Sequence, residues 1–206
     1  MARYTGPRSR LSRREGVDLG HKTVGSKAHA MLLKRLQVPP GQHGSKGTGK
    51  ISGFGQQLRE KQKVKRMYAV LERQFRKAFE RARLVRGNTG EKLLEIMERR
   101  LDNVLFRLLL VPTRAASRQI VSHGHVFVDG KKVNIPSFEV SVGHVVTLDQ
   151  TATEIPAVKK MLDEKNIKLP EWLERKGPSG RVVRLPMRSD IGEDIAEQYI
   201  VEHYSR

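Results

Sequence analysis

The chain has 206 residues and carries 40 Lys and Arg against 22 Asp and Glu, for a formal net charge of +18. This length allows one or two domains with a hydrophobic core, and so basic a composition points to a polyanionic partner such as nucleic acid. The absence of cysteine excludes disulfides and thiolate metal sites. No stretch has the apolar length of a membrane span or a signal peptide, so we expect a cytoplasmic protein without a membrane partner.

The positive charge is concentrated in residues 1–90, which hold 22 Lys and Arg but 5 Asp and Glu, whereas residues 91–206 hold 18 and 17. We interpret this imbalance as a dedicated electrostatic surface. Aromatic residues make up 5% of the chain, a low share that argues against binding by base stacking. Contact with phosphates and with nucleic-acid shape is therefore favoured.

Residues 1–54 are rich in Gly, Pro and Arg, and the stretch VPPGQHGSKGTGKISGFG has eight glycines and prolines. Such composition predicts an extended basic N-terminal segment, in which helical periodicity is weak except around residues 26–36. Residues 56–86 instead place apolar side chains at helical spacing and predict one long or two abutting helices. From Arg59 to Arg83, ten Lys and Arg accompany three Glu, so this face would repel itself unless an anion covered it.

A further helix is predicted from about residue 91 to Pro112, which ends it. Thr113 can cap a short helix that carries Arg114 and Arg118 four residues apart, and hence on one face. Gly124 supplies a C-terminal stop, and Asp129-Gly130 is a type I′ hairpin signal. The residues from about 99 to 149 thus predict a compact module of two helices on a short antiparallel sheet.

The last residues, DIGEDIAEQYIVEHYSR, are acidic and amphipathic, so we expect them to pack against the basic helices. The predicted fold class is α+β: a mainly helical basic domain from residues 55–90 and 177–206, with residues 91–176 inserted and containing this compact module of about residues 99–149. The extended segment 1–54 precedes both.

No catalytic constellation is evident, and we expect no enzyme, cofactor or small-molecule substrate. GSKGTGK (44–50) resembles a phosphate-binding loop, but Ile51 follows where Ser or Thr is required and no strand precedes it. His123 and His125 would form too sparse a metal site. They are either turn histidines bonded to backbone or, for His123 above all, part of a nucleic-acid surface beside Arg118.

Five side chains of this region are predicted to form one compact outward patch of donors: Arg114, Arg118, Gln119, His123 and Lys131. RNA duplexes present phosphates and 2′-hydroxyls across a wide minor groove, so such a patch would recognise RNA shape. A solvated helix face beside an ordinary hairpin is the alternative.

Residues 98–136, ERRLDNVLFRLLLVPTRAASRQIVSHGHVFVDGKKVNIP, resemble the RNA-binding module named after small-subunit ribosomal protein four. The stretches MARYTGP, LSRREG, PPGQHG, LREKQKVKRMYAVLERQF, GNTGEKLL and YIVEHYSR extend the resemblance over essentially the whole chain. It resembles the bacterial 30S family of that protein in its cysteine-free, zinc-lacking form, since Ser9 and Ser12 stand at the spacing where many relatives have zinc-binding cysteines.

The resemblance implies a primary binder of 16S rRNA that nucleates small-subunit assembly and holds a multi-helix junction of the 5′ domain. It also implies contacts with protein five, an influence on decoding accuracy and a place along the channel by which mRNA enters. The module also occurs in RNA-modifying enzymes and in non-ribosomal RNA-binding factors, which are the alternatives.

The resemblance further implies RNA contacts by residues in three regions. They are Arg3, Arg10, Arg13, Arg14, Gln42 and His43 in the N-terminal segment; Arg59, Lys61, Lys65, Arg66, Arg73 and Arg76 on the basic helices; and Arg99, Arg100, Asn103, Arg107, Arg114, Arg118, Gln119, His123 and Lys131 in the inserted module.

Overall fold

The computed structural model describes residues 4–47, 49–164 and 168–205. The chain divides into two compact units, unit 1 formed by Met1–Leu93 with Glu193–Arg206 and unit 2 formed by Leu94–Gly192. The described residues contain helices and one antiparallel sheet, joined by loops and turns, so the predicted α+β class is confirmed. No helix in this part of the chain is long and apolar enough to cross a membrane.

Unit 1 is helical. Its helices are α1 (Arg8–Glu15), α2 (Lys27–Lys34), α3 (Gly53–Met67), α4 (Glu72–Leu84), the first part of α5 (Thr89–Glu98) and, at the end of the chain, α10 (Glu197–Tyr204), with a short 3-10 turn at Gly44–Lys46. The segment expected to be extended therefore contains two helices. Ser26 caps α2 by accepting a hydrogen bond from the backbone N–H of His29, and Leu19 and Leu32 are buried.

The basic region consists of two helices rather than one, because the chain turns between α3 and α4. Ala69 has a left-handed φ of 52°, and Leu71 is extended before α4 begins. On α4, Phe75, Ala78, Phe79 and Ala82 are buried, which leaves the charged positions of that helix facing outward.

Helix α10 packs on α3 within unit 1. Gln57 of α3 donates a hydrogen bond to Glu202 of α10 at 2.8 Å, and the Phe79 and Tyr204 rings stack with centroids 4.6 Å apart. Ile200 is buried. The end of the chain thus completes the core of the helical unit.

Unit 2 joins helices to a five-stranded sheet. After α5 come α6 (Leu101–Arg107), α7 (Arg114–Ser122), β1 (Val126–Val128), β2 (Lys131–Lys132), β3 (Val145–Leu148), α8 (Gln150–Thr153), α9 (Pro156–Asp163), β4 (Leu173–Lys176), β5 (Ser179–Val182) and a 3-10 turn at Arg188–Asp190. The strand order is β2-β1-β3-β5-β4, with every pairing antiparallel. One hydrophobic core contains Leu101, Leu105, Val121, Val146 and Trp172.

The single helix predicted from residue 91 to Pro112 is wrong, since α5 and α6 are separate. Arg100 between them has extended backbone and bridges Glu139 as in a sheet. The Leu101 N–H donates to Phe138 O at 2.8 Å. Backbone pairing with residues 136–140 therefore interrupts the helix between α5 and α6.

The predicted helix cap and hairpin turn are both present in unit 2. Thr113 caps α7 by accepting from the Ala116 N–H at 3.2 Å, and Asp129 and Gly130 have φ values of 49° and 76°, as a type I′ hairpin requires.

Sequence analysis assigns residues 177–206 to the helical domain. In the structure, β5 pairs with β3 and β4, and residues 177–192 lie in unit 2.

Candidate nucleic-acid interface

The residues expected to contact RNA differ widely in exposure. Arg3 lies outside the described residues. Those exposed are Arg10, Arg14, Gln42, His43, Arg73, Arg76, Gln119, His123 and Lys131; those half-buried are Arg13, Arg59, Lys65, Arg66, Arg99 and Arg107; and those buried are Lys61, Arg100, Asn103, Arg114 and Arg118. The predicted set thus contains both surface donors and internal groups.

The clearest basic surface of unit 1 is the outer face of α4. Arg73, Arg76 and Lys77 are exposed because the opposite face of the helix carries the buried aromatic residues. Arg76 donates to Glu80 at 3.2 Å, but both side chains are more than half exposed, so this pair contributes little to stability. The face can therefore meet an anionic ligand without breaking internal structure.

The basic residues of α3 are mainly engaged within the protein. The side chain of Glu15 in α1 is buried and accepts hydrogen bonds from Arg66 and, at 3.4 Å, from Arg59. Burial raises the pKa of Glu15 despite the opposing charges of these arginines. Arg59 and Arg66 therefore hold the N-terminal helix against α3, and both side chains are partly exposed.

Glu72 of α4 accepts hydrogen bonds from two other α3 residues. Lys61 and Lys65 donate to it at 2.8 Å each, as does the Tyr204 hydroxyl. Burial would raise the pKa of Glu72, but these three hydrogen bonds outweigh burial and lower the pKa to about 2. Burial, with the hydrogen bond to Glu72, raises the pKa of Tyr204. Lys61 is thus an internal cation, its Nζ lying 5.4 Å from the Tyr204 ring centroid.

The N-terminal part of unit 1 adds further exposed donors. Arg13 is tied down, since its guanidinium donates to Val38 O at 2.8 Å and Pro39 O at 3.1 Å. This anchors the loop that carries the exposed Gln42 and His43. The described residues contain no group of three or more acidic, His or Cys side chains that could hold a metal.

In unit 2, Asp102 organises a buried ionic network. Arg100 donates to both Asp102 oxygens, at 3.0 and 2.7 Å, and Arg118 Nη1 lies 3.8 Å from Asp102 Oδ2. All three side chains are less than a tenth exposed. Removing one partner of such a pair leaves an uncompensated buried charge, so the network is part of the fold.

Glu98 organises the adjoining half of the network. Arg107 donates to both Glu98 oxygens at 2.9 and 2.7 Å, and Asn103 Nδ2 donates to Glu98 at 2.7 Å. Asn103 Oδ1 in turn accepts from Arg114 at 2.8 Å, whose guanidinium lies 4.4 Å from the Phe106 ring centroid. Three helices are joined through these polar side chains.

The expectation that Arg114 and Arg118 project outward is wrong. They do share one face of α7, but that face packs on α6 because Asp102 and Asn103 offer buried acceptors there. The outward donors of this region are Gln119, His123 and Lys131. The module therefore presents a smaller polar patch, supported from below by fixed arginines.

Sequence reasoning missed several residues of these surfaces. Lys77 is exposed beside Arg73 and Arg76 and shares their helical spacing, which is the signal that could have found it. Spacing along the chain does not reveal that Asp102 and Glu98 bind the buried and half-buried arginines. The side chain of Lys132 lies against Gly124, since a Cβ built on Gly124 would be 2.6 Å from Lys132 Cε. Sequence spacing does not reveal this contact.

Comparisons with known proteins agree with this architecture. Residues 3–98 match the Ribosomal protein S4/S9 N-terminal domain, and residues 99–146 match the S4 domain. The combination defines the class: a ribosomal protein with an S4 domain following its N-terminal domain.

Curated relatives match over their whole length. Proteins named Small ribosomal subunit protein uS4 from Geobacter metallireducens, Citrifermentans bemidjiense and Dictyoglomus turgidum are 47%, 48% and 48% identical to this chain over 209 residues, covering 100% of both chains in each case. The chain belongs to the uS4 family of small ribosomal subunit proteins, in a form without cysteine.

Proposed function

We propose that this chain is a structural component of the small ribosomal subunit, in the cytoplasm, and that it binds 16S rRNA. The full-length identity of 46–48% with proteins named Small ribosomal subunit protein uS4 carries this proposal. The net charge of +18 and the exposed basic faces support it, because phosphate contacts dominate the affinity of proteins for nucleic acid.

The two units would bind RNA by related means. In unit 1 the donors are the outer face of α4 and the exposed Arg10, Arg14, Gln42 and His43. In unit 2 they are Gln119, His123 and Lys131. Few of these side chains have the fixed bidentate geometry that reads a base edge, so recognition would depend on the shape of a folded RNA.

The finer roles in this proposal are supported by the presence, in one chain, of two compact units that each carry exposed donors. Each unit can contact a different RNA helix, which supports the proposal that the protein holds a multi-helix junction of the 5′ domain and nucleates assembly there. Contacts with protein five, an effect on decoding accuracy and a place along the channel by which mRNA enters are further parts of this proposal.

An RNA-modifying enzyme or a non-ribosomal binding factor with the same S4 domain is the alternative function. Residues 3–98 match a ribosomal N-terminal domain, which favours the structural role. Incubation of the chain with structured RNA should produce no modified base, and detection of one would support the enzyme.

Binding to a 5′-domain fragment of 16S rRNA tests the proposal directly. We expect affinity at least about tenfold above that for an unrelated structured RNA of equal length, a difference of about 1.4 kcal/mol. We also expect the affinity to fall steeply with salt. Equal affinity for both RNAs would contradict rRNA recognition, and loss from small subunits during washing at moderate salt would favour a free factor.

A further inference from the structure

Unit 2 has a groove beside the side chains proposed to contact RNA, and two of them, Gln119 and His123, line it. It has a volume of about 170 Å³ and lies between α7 and the start of α9. Val111, Ile120 and Val158 form an apolar floor, and all three are buried. Ala157, an exposed residue of α9, forms part of the rim.

The other rim of the groove is polar. It consists of Gln119, His123 and His125, of which Gln119 and His123 are exposed. His125 is held in place because its backbone N–H donates to Ile120 O at 3.2 Å and its carbonyl accepts from the Asp149 N–H at 2.9 Å. The two imidazole ring centroids lie 6.3 Å apart.

A cation lies next to this rim. A Cβ built on Gly124 would be 3.3 Å from Lys132 Nζ, so the ammonium sits over the residue between the two histidines. Gly124 also has a φ of 76°, and glycine satisfies both the backbone conformation and the close approach of Lys132. The nearest described carboxylate to the imidazoles, that of Asp149, is 3.9 Å from His125 Nδ1.

The apolar floor and polar rim of the groove are complementary to the base of a single nucleotide, and the adjacent cation is complementary to its phosphate. A phosphate would lose its hydration on the apolar floor without gaining a partner, whereas a base has apolar faces and a polar edge. RNA-binding proteins recognise unstacked bases by stacking on aromatic side chains, histidine included, and by hydrogen bonds to the base edge. The amide of Gln119 can both donate and accept such bonds.

We propose that this groove binds one unstacked base of the RNA, with Gln119 at its edge, the imidazoles against the base and Lys132 at the adjoining phosphate. This inference rests on the proposed rRNA binding and adds a base-specific contact to it. The groove would then make the binding of unit 2 depend on the identity of one base, information that contacts with phosphates do not carry.

The substitution Ala157→Leu fills the groove without changing charge. We expect affinity for the 5′-domain fragment to fall roughly five- to a hundredfold, as for loss of one stacked base, while the dependence of affinity on salt stays the same. Thr151→Leu is the matched control, since Thr151 is exposed on α8 and does not line the groove. It should bind as the unmodified chain does.

Gln119→Ala provides a second variant with little risk to folding, because Gln119 is exposed on α7. It should weaken binding several-fold, as expected for loss of one hydrogen bond. Abasic substitution along the fragment should reveal one nucleotide whose base matters to the unmodified chain but not to Ala157→Leu.

Three outcomes would overturn the inference: unchanged affinity in both groove variants, equal loss in Thr151→Leu, or equal loss on a fully paired RNA duplex. In those cases the groove serves another contact, such as a side chain of a neighbouring protein. If the unmodified chain itself fails to prefer the fragment, the proposed rRNA binding fails instead.

Discussion

The Tyr204 hydroxyl donates a 2.8 Å hydrogen bond to Oε1 of Glu72, a residue 132 positions earlier in the chain. The same carboxylate accepts from Lys61 and Lys65. Helices α3, α4 and α10 therefore meet at one acidic side chain, so the stability of unit 1 should depend on each of these contacts.

The substitution Tyr204→Phe should lower the free energy of unfolding of unit 1 by about 1 kcal/mol, since it removes one charge-assisted hydrogen bond at a partly exposed carboxylate. The ring and its stacking on Phe79 would remain. Urea unfolding followed by helical circular dichroism measures the change. Tyr199→Phe, at an exposed residue of α10, should have no measurable effect, and equal effects would contradict the role of this bond.

Acid should weaken unit 1 through Glu72. Its pKa is about 2 in the folded state against an ordinary value of 4.5, so the unfolded chain binds the proton more readily in this interval. The stabilisation is complete above pH 4.5 and is lost as the pH falls towards 2.

Glu72→Gln should accordingly flatten the fall in unfolding free energy between about pH 5 and pH 2, measured by urea titrations at each pH. Glu80→Gln changes an exposed carboxylate of the same helix and serves as the control. An unchanged slope in Glu72→Gln would show that other carboxylates dominate acid unfolding.

Asp102→Asn should destabilise unit 2 by about 3 kcal/mol or more, because Arg100 and Arg118 would lose their buried counter-charge. Trp172, the single tryptophan, is buried in the core of unit 2, so its fluorescence reports this unit selectively. Asp163→Asn on the exposed surface of α9 should be nearly silent. Similar losses in both variants would argue against the network.

Charge reversal should distinguish buried from exposed residues of the S4 domain. Arg118→Glu places a second carboxylate beside Asp102 and should unfold unit 2, as reported by Trp172 fluorescence. Lys131→Glu, at an exposed residue of β2, should keep the fold and weaken RNA binding. A folded Arg118→Glu variant would show that Arg118 acts mainly at the surface.

Neutralising the outer face of α4 should alter the salt dependence of RNA binding. If Arg73 and Lys77 each contact a phosphate, each Gln substitution should reduce the slope of log affinity against log salt by about 0.7–0.9. Filter binding over a salt series measures this slope. Lys160→Gln, on exposed α9, removes the same charge elsewhere, and an equal reduction there would contradict a specific α4 contact.

Local signals were enough to predict much of this molecule. The cap at Thr113 and the turn at Asp129-Gly130 depend on a few adjacent residues, and the apolar stripe of α4 follows directly from its spacing. The resemblance over essentially the whole chain, beyond the module alone, correctly indicated the family.

Long-range pairing was not accessible from spacing. The helical repeat places Arg114 and Arg118 on one face but does not say whether that face meets water or Asp102. The apolar repeat likewise continues through Arg100, although backbone pairing with residues 136–140 ends the helix there. In both cases the deciding partner lies elsewhere in the fold.

The placement of α10 in unit 1 has a consequence for biosynthesis. Residues 193–206 belong to unit 1 but are translated after the whole of unit 2, so unit 2 can acquire its core on the nascent chain first. Unit 1 cannot form the hydrogen bond from Tyr204 to Glu72 until the end of the chain has been synthesised. Until then the surface that α10 covers is exposed and accessible to chaperones.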